Sequence, residues 1–366
     1  MPTLRDILGQ HNALRVLRAA LESQRVHHAW IFHGPHGVGK RTTAEAFAGA
    51  LLDPTTGPDL SGVIAPDPDS ETQRLIASGM HPDLHLITKE LARYSDDRAI
   101  RERKLISIPK EVIEQHLLAP ASLAPRVQAG AVVGKAFIVD EAELLNDTTQ
   151  NAMLKTLEEP APGTVIILVT SSPEKLLPTI RSRCQRIAFE PLSTEEMRAW
   201  MRSAPSQTRE KLGSDEAAWV IDYAAGSPGL AMIAIEGRLY DWAVQLEPML
   251  AAADAGEFSP ELGERMTKFI DEWAKAQVEK NKNASKEAAN KAGARRMLHL
   301  LAERARRQLR DDASRGVDAA GALATIDLVR AAERHIESNV NLALTMEHLA
   351  ARMAGKSDFS VPLIPV

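Results

Sequence analysis

The segment Gly34-Pro35-His36-Gly37-Val38-Gly39-Lys40 constrains this chain more than any other stretch. It follows a short apolar run, His28-Ala29-Trp30-Ile31-Phe32-His33, and precedes Thr42 to Leu52, which reads as an Ala-rich helix. Strand, glycine turn and helix, in that order, form the setting in which G-x-x-x-x-G-K acts as a phosphate-binding P-loop, or Walker A motif. Gly34, Gly37 and Gly39 let backbone N–H groups approach an anion. The helix N-terminus adds a favourable dipole, and Lys40 carries a charge for the β- and γ-phosphates. The next residue ought to be Ser or Thr, to hold magnesium, but it is Arg41. Thr42 and Thr43 follow, each turned about 100° further round the helix. Two readings stay open: a loop that still binds ATP, and a loop kept as a packing turn.

A second apolar run, Ala136-Phe137-Ile138-Val139, ends in Asp140-Glu141. That is the Walker B pattern, in which Asp140 would sit near magnesium and Glu141 would orient the attacking water. A third run, Thr164 to Thr170, is rich in β-branched residues and reads as a strand. Thr170 and the two serines after it are hydroxyls placed where a γ-phosphate could be sensed; an ordinary turn is the alternative. Strands alternating with helices over the first half imply a parallel sheet with helices on both faces.

Composition excludes several classes. The chain has 366 residues, 44 Lys plus Arg, 49 Asp plus Glu and one cysteine. One cysteine rules out a disulfide framework and a four-cysteine zinc site. A net charge of -5 argues against a broad basic nucleic-acid surface. The amphipathic start lacks the apolar core of a signal peptide, and no apolar stretch is long enough to span a bilayer, so the expected location is cytoplasmic. His27, His28 and His33 lack metal-ligand spacing, as do His81 and His85. Cys184 reads as a packing residue, and Glu158-Glu159 as the end of a helix that starts at Asn146 and stops before Pro160.

Elsewhere, Leu4 to Leu21 has helical periodicity, and Asp53 to Asp69 reads as a surface excursion. His85 to Thr88 suits a strand. Lys89 to Lys104 is a charge run, read as a solvated loop or hairpin, and a helix signal begins at Ser107. After Phe189 the periodicities are helical only, with a helix start at Ser193 and a break at Gly226-Ser227-Pro228-Gly229. Glu279 to Ala294 is a polar loop or exposed helix, and long helical patterning from Ile326 to Met353 precedes a two-proline tail.

Taken in order, Gly9-Gln10, the strand and P-loop, His81-Pro82-Asp83, Asp140-Glu141-Ala142, Asn151 to Pro160 and Ser182-Arg183-Cys184 resemble clamp-loader subunits of the AAA+ class. The resemblance is dense over the first half of the chain. Within that class it points to the delta-prime branch of the bacterial DNA polymerase III loader. Arg41 replaces the magnesium hydroxyl, no sensor-2 arginine stands at Gly226 to Ala231, and Ala332 to Asn341 is similar to the collar helix of that branch. The family usually carries a four-cysteine zinc module before the His-Pro-Asp turn. This chain has no cysteine there, so no zinc is expected.

The resemblance implies an α/β AAA+ P-loop core over 1–188, a small helical lid over 189–242 and an all-α collar over 243–366. It implies a stator with weak or absent ATPase of its own, which lends Arg183 as an arginine finger to a neighbour's site. The implied partners are gamma/tau-type and delta-type subunits in a heteropentamer, with the sliding clamp and primed DNA reached through the complex. Two alternatives remain: an active motor subunit of the same loader, and a P-loop NTPase outside replication.

Overall fold

The computed structural model describes residues 2–58, 62–95, 97–101, 107–126, 130–203, 212–280, 285–338 and 340–355. The last part of the charge run, Asn339 of the collar-like segment and the two-proline tail lie outside the described residues. The chain divides into two compact units, residues 1–204 with 226–229, and residues 205–225 with 230–366.

The first unit is a three-layer α/β/α body. Its five-stranded sheet comprises β1 (Ala29–His33), β2 (Leu84–Ile87), β3 (Lys135–Val139), β4 (Thr164–Thr170) and β5 (Gln185–Ala188), in the order β2-β3-β4-β1-β5. All the pairings are parallel. The central strands β1, β3 and β4 are buried on both faces, which is why they read as unbroken apolar runs. Alternate residues divide between two cores. Trp30 and Phe32 pack with α1 (His11–Ser23) and α2 (Lys40–Leu52), while Ala29 and Ile31 pack with helical residues 110–121 and α3 (Asp147–Glu158). The ring of Trp30 meets Phe32 and Phe47 edge-on, and Phe189 tilts against Phe32.

Most sequence expectations hold, and the exceptions have local causes. Leu4 to Gln10 is not helical although its apolar spacing suits a helix. Gly9 has φ +72°, and the buried Gln10 side chain is turned into the body of the unit. Strand β5 escapes the apolar-run criterion because it is a short edge strand with only Ile187 buried. The excursion from Asp53 contains a short antiparallel pair, Gly57–Pro58 with Ile64–Ala65. It closes on the buried Asp53 carboxylate, which accepts from Thr55, Ser70 and Gln73. The charge run opens with a 3-10 helix over Lys89–Tyr94.

The second unit is helical throughout its described residues. Its core is built by Pro260–Lys280, Lys286–Arg315, Ala320–Glu337 and Leu342–Ala354. Gly293 lets two of these helices approach closely, since a Cβ there would lie 3.2 Å from both Ile270 and Trp273. Arg296 stacks over Trp273 at 4.1 Å. Arg304 ties in the helix Leu239–Asp254 through Glu247 and Asp254. Among the described residues, no helix is long and apolar enough to cross a membrane.

Candidate functional site

Strand β4 lies between β1 and β3, so three strand ends meet at one edge of the sheet. His33 is in register with Thr170, and Val139 with Leu168. Everything that follows β1, β3 and β4 therefore converges on one crevice, where open α/β sheets bind ligands. The loop from Gly34 to Gly39 leaves β1 here and enters α2 at Lys40, with φ of +146°, +76° and +99° at its three glycines. Gly34 has a further reason to lack a side chain: a Cβ would stand 2.1 Å from the Phe189 carbonyl oxygen.

The charged groups of this crevice are engaged with one another. Lys40 is buried, and its Nζ donates to the carbonyls of Gly34 at 2.7 Å and Pro35 at 2.5 Å. Burial pushes its ammonium below the usual range, against the upward pull of Glu143 and Asp140. Arg41 donates from Nε to Glu45 Oε1 at 2.8 Å and from Nη1 to Asp140 Oδ2 at 3.3 Å. Burial disfavours the Arg41 charge, yet Glu45 and Asp140 outweigh that and raise its pKa. Glu141 has φ +52° and faces Lys89, whose Nζ lies 2.8 Å from Oε2. Thr170 is buried, and its Oγ1 accepts from the Ser172 N–H at 3.0 Å. Thr42 is half-buried on α2, whereas Thr43 turns inward and donates to the Gly39 carbonyl.

Sequence reasoning missed four contributors. Lys89 belongs to a charge run that read as solvated; the clue was its position just after β2, which pairs with β3 and so emerges beside Glu141. Glu143 accepts from the N–H and Oγ of Ser171. Burial works to raise its pKa, but the hydrogen bonds from Ser171 and Thr170 outweigh this and lower it. Gln10 donates to the carbonyls of Val38 and Glu190 and accepts from the Glu190 N–H, fixing the P-loop's inner side. An open cleft of about 200 Å³ lies beside it, walled by Asn12, Arg15, Arg186 and Glu190. Finally, Gly226–Gly229 lies on the loop itself. Gly229 N–H donates to the Gly37 carbonyl and Ser227 Oγ to that of His36, and a Cβ on Gly229 would stand 2.7 Å from Gly37 Cα.

Magnesium does not fit this site. The acid that would hold it already carries a guanidinium, and the residue after Lys40 offers no hydroxyl. Among the described residues, no group of three or more His, Cys, Asp or Glu is arranged to hold a metal ion.

Arg183 belongs to a different corner. It follows the helical turn Pro178–Arg181, before β5. Its Nη2 pairs with Glu158 Oε1 at 2.5 Å, and its Nη1 donates to the Thr179 carbonyl at 2.9 Å. Both side chains of the pair remain substantially exposed, at 34% and 49%. The turn is anchored through Gln150, which bonds the Lys175 carbonyl and the Leu177 N–H. Cys184, next along, is half-buried, and burial pushes its thiol up to about 12.

A family model described as DNA polymerase III, delta subunit, matches residues 9–193, half of the chain. Among curated proteins, the delta' subunit of DNA polymerase III from Pseudomonas aeruginosa is 32% identical over 186 residues, covering 50% of each chain. The gamma/tau subunit of Mycobacterium tuberculosis is 31% identical over 231 residues, 61% of this chain and 35% of that protein. The match thus spans about a third to a half of these relatives' own length. A gamma subunit-related protein of Thermotoga maritima, known from a crystal structure, superposes with a TM-score of 0.42 at 19% identity, covering 94% of this chain and 99% of that one.

Proposed function

The chain belongs to the DNA polymerase III delta-subunit family, and within that family we propose that it is a delta-prime-type clamp-loader subunit, a stator rather than a motor. Arg183 is the residue it lends. An arginine that follows a short helical turn, inside Ser182-Arg183-Cys184, and remains partly exposed would exchange its Glu158 partner for a nucleotide held by an adjoining subunit. There it would stabilise charge on the transferring γ-phosphate. The adjoining subunits would be of the gamma/tau and delta types, joined through the helices from Leu239 onward. The assembly would load a sliding clamp onto primed DNA.

One observation carries this reading: Arg41 pairs with Asp140 across the crevice, so the acid that would hold magnesium already carries a guanidinium, while Arg183 stands outside that crevice, held by Glu158 and the Thr179 carbonyl with 34% of its side chain exposed. In the assembled loader, Arg183→Ala is expected to lower ATPase by about 10³-fold or more, while the isolated variant melts as wild type. Unchanged turnover would remove the finger.

The motor reading draws on the complete set of glycines, with Lys40, Asp140 and Glu141 all present. It requires Lys40→Ala to abolish the complex's activity to the extent that Arg183→Ala does. The stator reading requires near indifference.

A further inference from the structure

The divalent seat of a P-loop is made from two parts, the hydroxyl after the lysine and an acid at the end of a nearby strand. In this chain the acid is present and the hydroxyl is not. The side chain in its place spans the gap and closes on the acid. Arg41 reaches Asp140 at 3.3 Å and is held from behind by Glu45, one helical turn further on, at 2.8 Å. Asp140 Oδ1 is also engaged, accepting the Glu141 N–H at 3.0 Å. Neither oxygen of the acid is left without a partner.

We propose that Arg41 is this chain's own replacement for the divalent cation: its guanidinium occupies the seat on Asp140, so the P-loop refuses metal-bound nucleotide. A divalent ion brought to Asp140 would meet a fixed positive charge within about 4 Å, a strong repulsion in a half-buried site. The two cations are also unlike in action. A guanidinium presents a rigid planar fork of donors, never gives up its proton, and cannot dissociate with a product. It can balance the charge of an anion in the loop, but it supplies neither the coordination shell nor the exchange of ligands on which magnesium chemistry depends. A loop with this residue would accept phosphate, if at all, without metal. The inference rests on Arg41, Glu45 and Asp140 alone, and it stands whether or not Arg183 acts as a finger.

The test uses the full chain, Mn²⁺ as the probe and ADP as the nucleotide, with bound and free Mn²⁺ separated by electron paramagnetic resonance. The wild type should bind no Mn²⁺ without ADP, and with ADP no more than ADP alone chelates in a protein-free control. Arg41→Thr removes the cation and restores the hydroxyl. With ADP present it should retain one Mn²⁺ per chain, with affinity raised by about tenfold or more. Arg41→Ala, which removes the charge alone, should show a smaller gain, and Asp140→Asn added to Arg41→Thr should abolish it. Retention of Mn²⁺ by the wild type to the same degree as by Arg41→Thr would overturn the proposal. So would the absence of any gain in both Arg41 variants while circular dichroism shows them folded. The wild-type arm can overturn it even if a variant fails to fold.

Discussion

The P-loop crevice and the Arg183 corner are built on one sheet from the same kinds of charged residue, yet they differ in what their charges face. At the crevice, Lys40 faces its own loop's carbonyls, Arg41 faces Glu45 and Asp140, and Glu141 faces Lys89. At the corner, Arg183 has one carboxylate partner, and that partner is itself half exposed. A motif can therefore keep its spacing while its charges are satisfied within the chain. Whether a cation is available is a question about its neighbours, which residue identity alone does not answer.

The sharpest way to break this contrast is the Arg183→Ala assay in the assembled complex, where the loss expected is the largest. Next in size is Gly34→Ala. Its Cβ would collide with the Phe189 backbone, and the variant should lose about 3 kcal/mol in denaturant melts. A Gly34→Ala chain that melts like wild type would mean that the loop is softer than its closed charge network implies. Gln10→Ala should follow at about 2 kcal/mol, because the buried Val38 carbonyl and the partly buried backbone groups of Glu190 would lose their partner.

Smaller effects probe the corner. Glu158 pairs with Arg183 and so competes with any external anion for its guanidinium. Glu158→Gln is thus expected to raise the complex's basal ATPase by about two- to fivefold, the scale of a half-exposed ion pair. Glu158→Gln added to Arg183→Ala should give no further change. A fall in turnover would mean that Glu158 aims the arginine instead of detaining it.

The smallest effect is a response to acid. Burial lowers the pKa of His33, helped by the nearby charges of Arg186 and Lys40. A histidine whose folded pKa lies below its unfolded value, here about 6.5, favours the folded state only while both states are neutral. Below that value the unfolded chain binds a proton that the folded one refuses, and stability declines. After correction for the intrinsic slowing of amide exchange in acid, protection at residues 33–40 should therefore fall as the pH drops from 7.5 to 6. Protection across α3, which contains no histidine, should change less.

Much of this molecule is legible in the sequence, and what is missing shares one physical cause. The three central strands could be read because they are buried on both faces, which leaves runs no loop would carry. The helix from Asn146 could be read because Asn146 caps it through Thr149 and Pro160 halts it. Strand β5 could not, because three of its four residues face solvent. The site followed the same rule. Gly34 to Lys40 and Asp140-Glu141 are local patterns, and they surfaced at once. The contacts of Lys89 with Glu141, Glu158 with Arg183 and Gly229 with Gly37 bring together residues 52, 25 and 192 positions apart. A one-dimensional reading sees such residues only as a charge run, a helix end and a break.

Cys184 has a practical bearing on all of these measurements. It is the chain's one thiol, and with its pKa pushed up to about 12 almost none of it is thiolate at neutral pH. Partly buried as well, it should react slowly with thiol-directed labels. A cysteine placed at His36 on the P-loop, or at Thr179 beside Arg183, both exposed, could carry a fluorophore or spin label without first removing the original. The two corners could then be watched separately, in an otherwise unaltered chain, while the loader is assembled around them.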